Sequence, residues 1–272
     1  MFKRFRQYRP FIDAGIQGSM AFRLDFLLFR LGDILGAVVT YFLWRAIFNA
    51  STHATLNDFT LPEMSLYVFL SFYVGTFTHS HSNDDIGDDV KSGTIAMRLL
   101  KPISFSATYL FAEIGRKLVQ IFMITVPILG GILLFQLFHA QSLPLNPVNI
   151  CLFLISCLLG YLLNFYFNLC FGFSAFVLKN LWGANLMKNS IVNFMSGTLI
   201  PLSFFPDIVS KILSISPFAS LIYNPVTIYL GRYTLTVALE LIALQVFWVL
   251  FFYGLSKLIW RVSIKHLTVQ GG

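Results

Sequence analysis

Long apolar blocks constrain the fold of this chain more than any other feature. A buried helix of a soluble protein needs about 10–14 apolar residues, whereas a helix that crosses the hydrocarbon core of a bilayer needs about 20. Of the 272 residues, 57% are hydrophobic and 11% are charged, against about 25% charged in soluble domains. So little charge could not cover a soluble surface, and the sequence predicts an all-α integral membrane protein.

The positions of the blocks predict six transmembrane helices in a single domain that spans residues 1–272. Residues 1–22 mix basic and apolar side chains, as in an amphipathic elbow helix that lies in the membrane interface. The third span is expected to kink at Pro127, and a short basic link at 179–188 is expected between the fourth and fifth spans. The predicted spans are 26–48, 63–80, 107–138, 150–178, 189–201 and 235–260.

Prolines interrupt the segment 201–233, which precedes the last span. Pro206, Pro217 and Pro225 divide it into two short amphipathic pieces, at about 207–215 and 218–230. Neither piece is long enough to cross a bilayer. We therefore predict a re-entrant extracellular hairpin, whose backbone must be buried in protein wherever it reaches membrane depth.

Basic residues indicate the orientation. With both termini in the cytoplasm, every one of the 19 Lys and Arg residues except Arg45, Lys211 and Arg232 lies on or near the inner side. The loops at 49–62 and 139–147 contain neither residue type, as the positive-inside rule expects of outer loops. The sequence thus predicts a multi-pass protein of the plasma (cytoplasmic) membrane.

The most polar stretch follows the second span. It contains enough His and Asp to suggest a metal site, but it also reads as a helix start, with Ser82 or Asn83 as the cap and Asp84 and Asp85 near the positive end of the helix. We favour the capped helix and predict no metal site. The candidate ligands were His79, His81, Asp84, Asp85, Asp88 and Asp89.

The continuation of that helix carries a family resemblance. An acidic residue, a basic residue, Ser-Gly-Thr-Ile at 92–95 and Leu-Leu-Lys-Pro at 99–102 lie between the second and third spans. This pattern resembles the cytoplasmic loop of ABC-2 type exporter permeases, in which a coupling helix docks into a groove of the ATPase. The resemblance places the coupling loop at 82–103. The residues that it implies contact or orient the ATPase are Asp88, Asp89, Lys91, Ser92, Gly93, Thr94 and Arg98.

The same resemblance implies the partners. The chain has no GxxxxGK[ST] phosphate loop, so it is expected to be no enzyme and to hold no cofactor; ATP and Mg belong to a separate ABC ATPase subunit. A second permease subunit, identical or different, would complete a dimeric translocation path in contact with membrane lipid. No nucleic-acid partner is expected.

Polar residues inside the spans leave alternatives open. Arg30 and Asp33, spaced i,i+3, form either a structural charge pair or a substrate contact. Two groups of polar residues are either interhelical hydrogen-bond partners or the lining of the translocation path. These are Asn164 and Asn168 in the fourth span and Asn193, Ser196 and Thr198 in the fifth.

Two other functions compete with an exporter permease. A secondary transporter needs ionisable side chains near the middle of the membrane, and the predicted spans contain few. A membrane-embedded enzyme needs a catalytic constellation on facing helices, and the only candidate cluster, at 79–89, lies at a membrane edge. The sequence does not identify a cargo.

Overall fold

The computed structural model describes residues 6–21, 23–100, 102–138, 146–178 and 180–264, and these form a helical bundle. Short turns join most of the helices. In chain order the α-helices are α1 (Arg9–Ala21), α2 (Arg23–Ala50), α3 (Leu61–Thr78), α4 (Ser82–Ser92), α5 (Ile95–Leu99), α6 (Phe105–Gln120), α7 (Val126–Phe138), α8 (Pro147–Gly172), α9 (Ala175–Leu178), α10 (Trp182–Met195), α11 (Asp207–Ile215), α12 (Tyr223–Tyr229) and α13 (Leu235–Ser263).

Length and composition identify the segments able to cross a membrane. In the described part of the chain, three helical segments are each long and apolar enough to cross by themselves: Leu31–Ala50, Pro147–Leu178 and Leu235–Ser263. A bent pair, Phe105–Met123 with Val126–Phe138, would make a fourth span. The helices at the predicted second and fifth spans, α3 and α10, do not meet this requirement. Helix α10 has only 14 residues, and α3 has 18 residues but contains several polar ones.

The predicted kink at Pro127 is confirmed. A π-helical turn, Ile121–Thr125, separates α6 from α7, and the helix axis bends by 42° at this break. Proline has no backbone N–H to donate to the preceding turn, and its ring clashes with the carbonyl four residues earlier. The wider π-helical turn is one of the known ways for a helix to bend at such a position.

Helix α1 packs directly along α6. At the crossing, Gly15 and Gly115 face the opposite backbone, and an ideal Cβ on either residue would lie 2.1 Å from Ala112 O or 2.2 Å from Ile12 O. Only glycine permits so close an approach. The predicted amphipathic helix at the N-terminus is therefore present as α1 and is held against α6.

Helix α8 is the centre of the bundle. It packs against α3, α4, α12 and α13, and its buried face includes Phe153, Leu163 and Phe165. Helix α12 is buried along its whole length, whereas α11 exposes Ile208, Ile212 and Ile215. The two short helices expected between 201 and 233 are thus present, but the second begins at Tyr223 instead of residue 218.

Two local predictions were wrong. The basic link at 179–188 is mostly helical, because α10 already begins at Trp182 and carries Lys188 as a buried side chain. Helix α4 has His81 at its N-cap, without a side-chain cap bond. Ser82 and Asn83 instead use their side chains for contacts with Phe165 O and with Asn185.

Candidate functional site

The segment 82–100, which contains α4 and α5 and is called here the coupling segment, stands on a closely packed base. Gly172 of α8 faces α4, and an ideal Cβ there would lie 3.0 Å from Asn83 Cα and 2.9 Å from Ile86 Cδ1. Ile86 has no exposed surface. A side chain at residue 172 would therefore push α4 away from the bundle.

Polar contacts join the start of α4 to two other helices. Asp85 forms an ion pair with Arg116 of α6. Asn83 Nδ2 donates to Asn185 Oδ1 of α10 at 2.7 Å, and Asn185 Nδ2 donates to Asp84 Oδ1 at 2.6 Å. Asn83 and Asn185 are buried, whereas Asp84 is exposed. Together with the ion pair, the buried amide contact fixes the position of α4 relative to both α6 and α10.

A buried carboxylate holds the turn between α3 and α4. Glu113 of α6 is 1% exposed and accepts from Ser80 Oγ at 2.9 Å and from the backbone N–H of His81 at 3.1 Å. Two residues of this short connection are thereby bonded to α6. A movement of α4 must then displace α6 or break these bonds.

The turn between α4 and α5 is built by the Ser-Gly-Thr sequence. Gly93 has φ +76°, a conformation that favours glycine. Ser92 Oγ donates to Asp88 O at 2.7 Å and lies 2.9 Å from Thr94 Oγ1, which donates to Asp89 Oδ1 at 2.8 Å. These bonds set the direction in which α5 leaves α4.

The charges of Asp89 and Arg98 are directed into the molecule. Asp89 Oδ2 lies 2.5 Å from Arg98 Nε and accepts from Tyr109 Oη at 2.6 Å. The guanidinium carbon of Arg98 lies 4.2 Å from the centre of the Tyr109 ring, within cation–π range. This cluster fastens the turn to α6, so Asp89 and Arg98 orient the coupling segment from inside.

The outer surface of the coupling segment is different. Asp88 and Lys91 are exposed there, and Met97 and Leu100 are 69% and 85% exposed. We call these four residues the coupling tip. Sequence reasoning included the two charged residues and missed the two apolar ones, although apolar side chains in the most polar loop of the chain were the available signal.

A cavity of about 570 Å³, with a mostly apolar lining that also contains several polar side chains, is bordered by α1, α2, α3, α6, α8 and α10. Four of the five predicted path residues line it, namely Asn164, Asn168, Asn193 and Thr198, and so does Asp33. Ser196 does not line it but lies 2.9 Å from Thr198 Oγ1. The side chain of Arg30 lies outside the described part of the structure.

The asparagines of α8 also form the interhelical bonds that were the alternative prediction. Asn164 Nδ2 donates to Thr78 O of α3 at 2.9 Å, and Asn168 Nδ2 donates to Asn164 Oδ1 at 2.6 Å. Lys188 of α10 donates to Asn168 Oδ1. The two readings of Asn164 and Asn168 are therefore compatible, because one chain of hydrogen bonds both joins three helices and borders the cavity.

The sequence model of the ABC-2 family transporter proteins matches residues 34–271. The chain belongs to this family. The match covers most of the chain and includes the coupling segment and the helices that surround the cavity. A search for similar curated proteins found no match.

Membership accounts for the general features of the structure. The permease is a multi-pass membrane protein, the transmembrane component of an ABC-type transporter, and not itself the catalytic part. The family implies association with an ABC ATPase. Within the described ranges, no group of three His, Cys, Asp or Glu side chains is arranged to hold a metal ion.

Several residues around the permease site had not been singled out from the sequence. Glu113, Asn185 and Lys188 were not identified as functional candidates, and Arg116 was used only to infer orientation. A charged or amide residue inside an apolar segment was the available signal, because such residues usually face the interior of a membrane bundle. Which helices they would join depended on the packing of distant segments.

Proposed function

We propose that the permease is one half of an ABC-2 type exporter and is driven by a separate ATPase subunit that docks on the coupling tip. The loop 82–103 transmits the movement. The contrast within the coupling segment carries this proposal: its base is bonded to α6, α8 and α10, while its tip exposes two charges and two large apolar side chains. In the described parts of the permease, no contact accounts for the presence of these four exposed side chains.

The chemistry of the tip suits a protein partner. Asp88 and Lys91 present opposite charges, which favour a specific and salt-sensitive encounter. Burial of Met97 and Leu100 in a groove would add apolar contact, worth about 1.5–3 kcal/mol for each side chain that becomes fully buried. Ser92, Gly93 and Thr94 shape the turn that presents these groups.

In this proposal the permease crosses the plasma membrane six times, and both termini lie in the cytoplasm. The spans are α2, α3, the bent pair α6 and α7, α8, α10 with the residues after it, and α13. Helix α1 is the interfacial elbow, and the segment 201–233 is a re-entrant hairpin at the outer end. The near-complete burial of α3 and α12 supports their position inside the bundle despite their short length.

A transport cycle follows from the rigid base. Two permease subunits enclose a path next to α2, α3 and α10, and two ATPase subunits close on ATP. Closure moves the coupling segments, and because Asn83, Asp85 and Glu113 link that region to α6 and α10, the helices around the cavity move with it. The hairpin acts as the outer gate.

The docking assignment is tested by exchanging charges at the tip. The permease is co-expressed with a Walker-motif ABC ATPase from the same genome, and the complex is purified through a tag on the permease. The double variant Asp88→Lys/Lys91→Asp keeps the net charge but reverses its arrangement. We expect about tenfold less ATPase in the purified complex, since about 1.4 kcal/mol corresponds to that factor.

Helix α11 supplies a matched control. Asp207 and Lys211 are also exposed, so the exchange Asp207→Lys/Lys211→Asp makes the same change at a site away from the tip. This control should retain the ATPase. Equal recovery with the tip variant and the wild type would place docking elsewhere, and no recovery with wild-type permease would contradict the proposed function itself.

A further inference from the structure

Lys188 is an unusual occupant of the cavity wall. It is 9% exposed, it lines the cavity, and its ammonium donates to Asn168 Oδ1 and lies 5.0 Å from the centre of the Phe171 ring. Within the described ranges, no carboxylate oxygen lies within the 4.0 Å that defines an ion pair with its Nζ. An ammonium has three donor hydrogens, so protein contacts use only part of its capacity.

The carboxylate that interacts with Lys188 is that of Asp84, which lies outside the cavity lining. Asp84 attracts it electrostatically, but Asp84 Oδ1 accepts from Asn185 and Asn83, and Asp84 is not part of the cavity lining. A buried charge without a close counter-ion is costly. A ligand that carries the counter-charge would offset this cost.

A second cation borders the same cavity. Arg116 is among the lining residues and is paired with Asp85 through its terminal nitrogen. Its Nε has almost no accessible surface, so this nitrogen is closed to a ligand in the cavity. Arg116 therefore adds a positive group beside the cavity that is already paired, and Lys188 is the cation with free donor capacity.

Other polar groups of the lining are compatible with an anion. Asn189 and Asn193 add side-chain amides from α10, and His79 and His81 add imidazoles from the turn before α4. Asp33 contributes one carboxylate from α2. Lys188, Asn189 and Asn193 all come from α10, so this helix supplies a cation and two amides to the cavity wall.

The remaining wall is apolar. Phe72 comes from α3, Phe167 from α8, and Leu221 and Ile222 from the turn before α12. A cavity of about 570 Å³ lies within the range of ligand sites, about 300–1,000 Å³. It would accommodate a head group together with part of a hydrocarbon chain.

Resting on the proposed function, we infer that the cargo of the permease is an amphiphile with an anionic head group. The head group binds the ammonium of Lys188 together with the side-chain amides of Asn189 and Asn193 from the same helix, and the apolar tail contacts Phe72, Phe167 and the turn at 221–222. Neither the family match nor the coupling segment determines this chemistry. Phosphate, sulfate or carboxylate would satisfy the same donors, because each is an anion with several acceptor oxygens.

The test uses the complete permease–ATPase complex in nanodiscs of zwitterionic phosphatidylcholine. Radiolabelled dodecyl phosphate is the anionic probe, and dodecyltrimethylammonium has the same chain with a cationic head. Empty nanodiscs report partition into lipid. We expect saturable binding of dodecyl phosphate to the complex, with dodecyltrimethylammonium bound at least about tenfold more weakly because its head group offers no acceptor to Lys188.

Three variants locate the site. Lys188→Gln removes the charge while keeping a donor for Asn168, and it should weaken dodecyl phosphate binding about tenfold. Lys188→Arg restores the charge and should recover most of the binding. Lys257→Gln makes the same change at an exposed lysine of α13 and should bind as the wild type does.

The outcomes separate the inference from the proposed function. If the complex assembles and hydrolyses ATP but binds both probes equally, or if Lys188→Gln binds normally, the anionic cargo is wrong and the coupling proposal stands. Full competition by inorganic phosphate at the concentration of the probe would show a site for the bare anion and overturn the amphiphile. The comparison of the two head groups needs only the wild-type complex, so misfolding of a variant would not prevent a decision on the anionic cargo.

Discussion

The coupling-segment end and the hairpin end of the permease both concentrate charge but use it differently. At the first end, Asp85, Asp89 and Glu113 connect α4 and its flanking turns to α6, and asparagines extend the network to α8 and α10. At the second end, Arg232 lies 3.4 Å from Glu63 Oε2, donates to Asp58 O at 2.9 Å and stands 3.5 Å above the Phe59 ring. The first network joins several helices, whereas the second holds the loop after α12 against the loop before α3 and the first turn of α3.

This difference indicates where movement can be transmitted. A helix that is bonded to several others carries them when it is pushed, while a clamp between loops restrains its own neighbourhood. Glu63 also completes a capping box with Thr60 at the start of α3, so Arg232 holds the hairpin against a fixed helix end. We therefore expect changes at the first end to affect both stability and coupling, and changes at the second end to affect stability alone.

The largest loss of stability is expected for Glu113→Ala. It leaves the His81 N–H without its acceptor, at about 1–3 kcal/mol, and it removes the charged acceptor of Ser80 Oγ, which retains Ser82 Oγ as its other acceptor. The free energy of unfolding in detergent, followed by circular dichroism, should fall by about 2–4 kcal/mol. Glu113→Gln retains one acceptor and should lower the free energy of unfolding by less. If wild type and Glu113→Ala have the same free energy of unfolding, Glu113 does not hold the turn between α3 and α4.

Asp89→Ala should have the next largest effect. Arg98 and Tyr109 lose their shared acceptor, and Thr94 loses the bond that shapes the turn, for a total of about 1–3 kcal/mol. ATP hydrolysis by the complex should also respond less to the permease, because the tip is no longer held in one direction. Asp207→Ala of α11 is the control, since Asp207 is also an exposed aspartate but lies outside the coupling tip. A variant that is destabilised but fully coupled would contradict the orienting role of Asp89.

Arg232→Gln is expected to cost less, about 1–2 kcal/mol, from the loss of a partly exposed ion pair and a cation–π contact. The unfolding midpoint should fall, but the amount of copurified ATPase should match the wild type. Arg232→Lys keeps the charge and should recover part of the stability. Loss of the ATPase from the Arg232→Gln complex would show that the hairpin end is not mechanically separate from the docking surface.

Leu100→Ser should change stability least, within about 0.5 kcal/mol, because the side chain is already 85% exposed. The same variant should weaken ATPase binding by at least about tenfold, since the contact buried in the complex is lost. Met97→Ser should behave in the same way. The exposed Leu239 of α13 offers a control, Leu239→Ser; if it lowers ATPase recovery as much as Leu100→Ser does, the tip has no special role.

Periodicity and hydropathy predicted much of the fold. The apolar blocks located α2, α7, α8 and α13, and the kink at Pro127 and the short helix at 207–215 were also predicted. The predictions of membrane spans at α3 and α10 were weaker, because both helices contain polar residues. In the structure these residues contact other helices. Lys188 was assigned to a basic link because a lysine at the end of an apolar segment usually reaches water, and here it reaches Asn168 instead.

The candidate site was predicted in part. The Ser-Gly-Thr turn and the charges of 88–98 were singled out by their resemblance to the cytoplasmic loop of ABC-2 type permeases, but the sequence could not tell which charges turn inward. Asp88 and Asp89 are adjacent and chemically identical, yet Asp89 faces Tyr109 and Arg98 while Asp88 faces solvent. That distinction depends on the rotation of α4 against α6, which Gly172 and Ile86 decide by packing.

The sequence by itself determined the membrane environment and the helical class, because hydrophobic length, proline placement and local charge act over short stretches of chain. Resemblance to a known family located the coupling segment. Only the tertiary structure decided which polar side chains meet. Asn83 and Asn185 are 102 residues apart in the sequence, and the cavity wall collects side chains from six helices that are distant in the chain. Helix packing sets such contacts, and from them come both the rigid base of the coupling segment and the buried ammonium of Lys188.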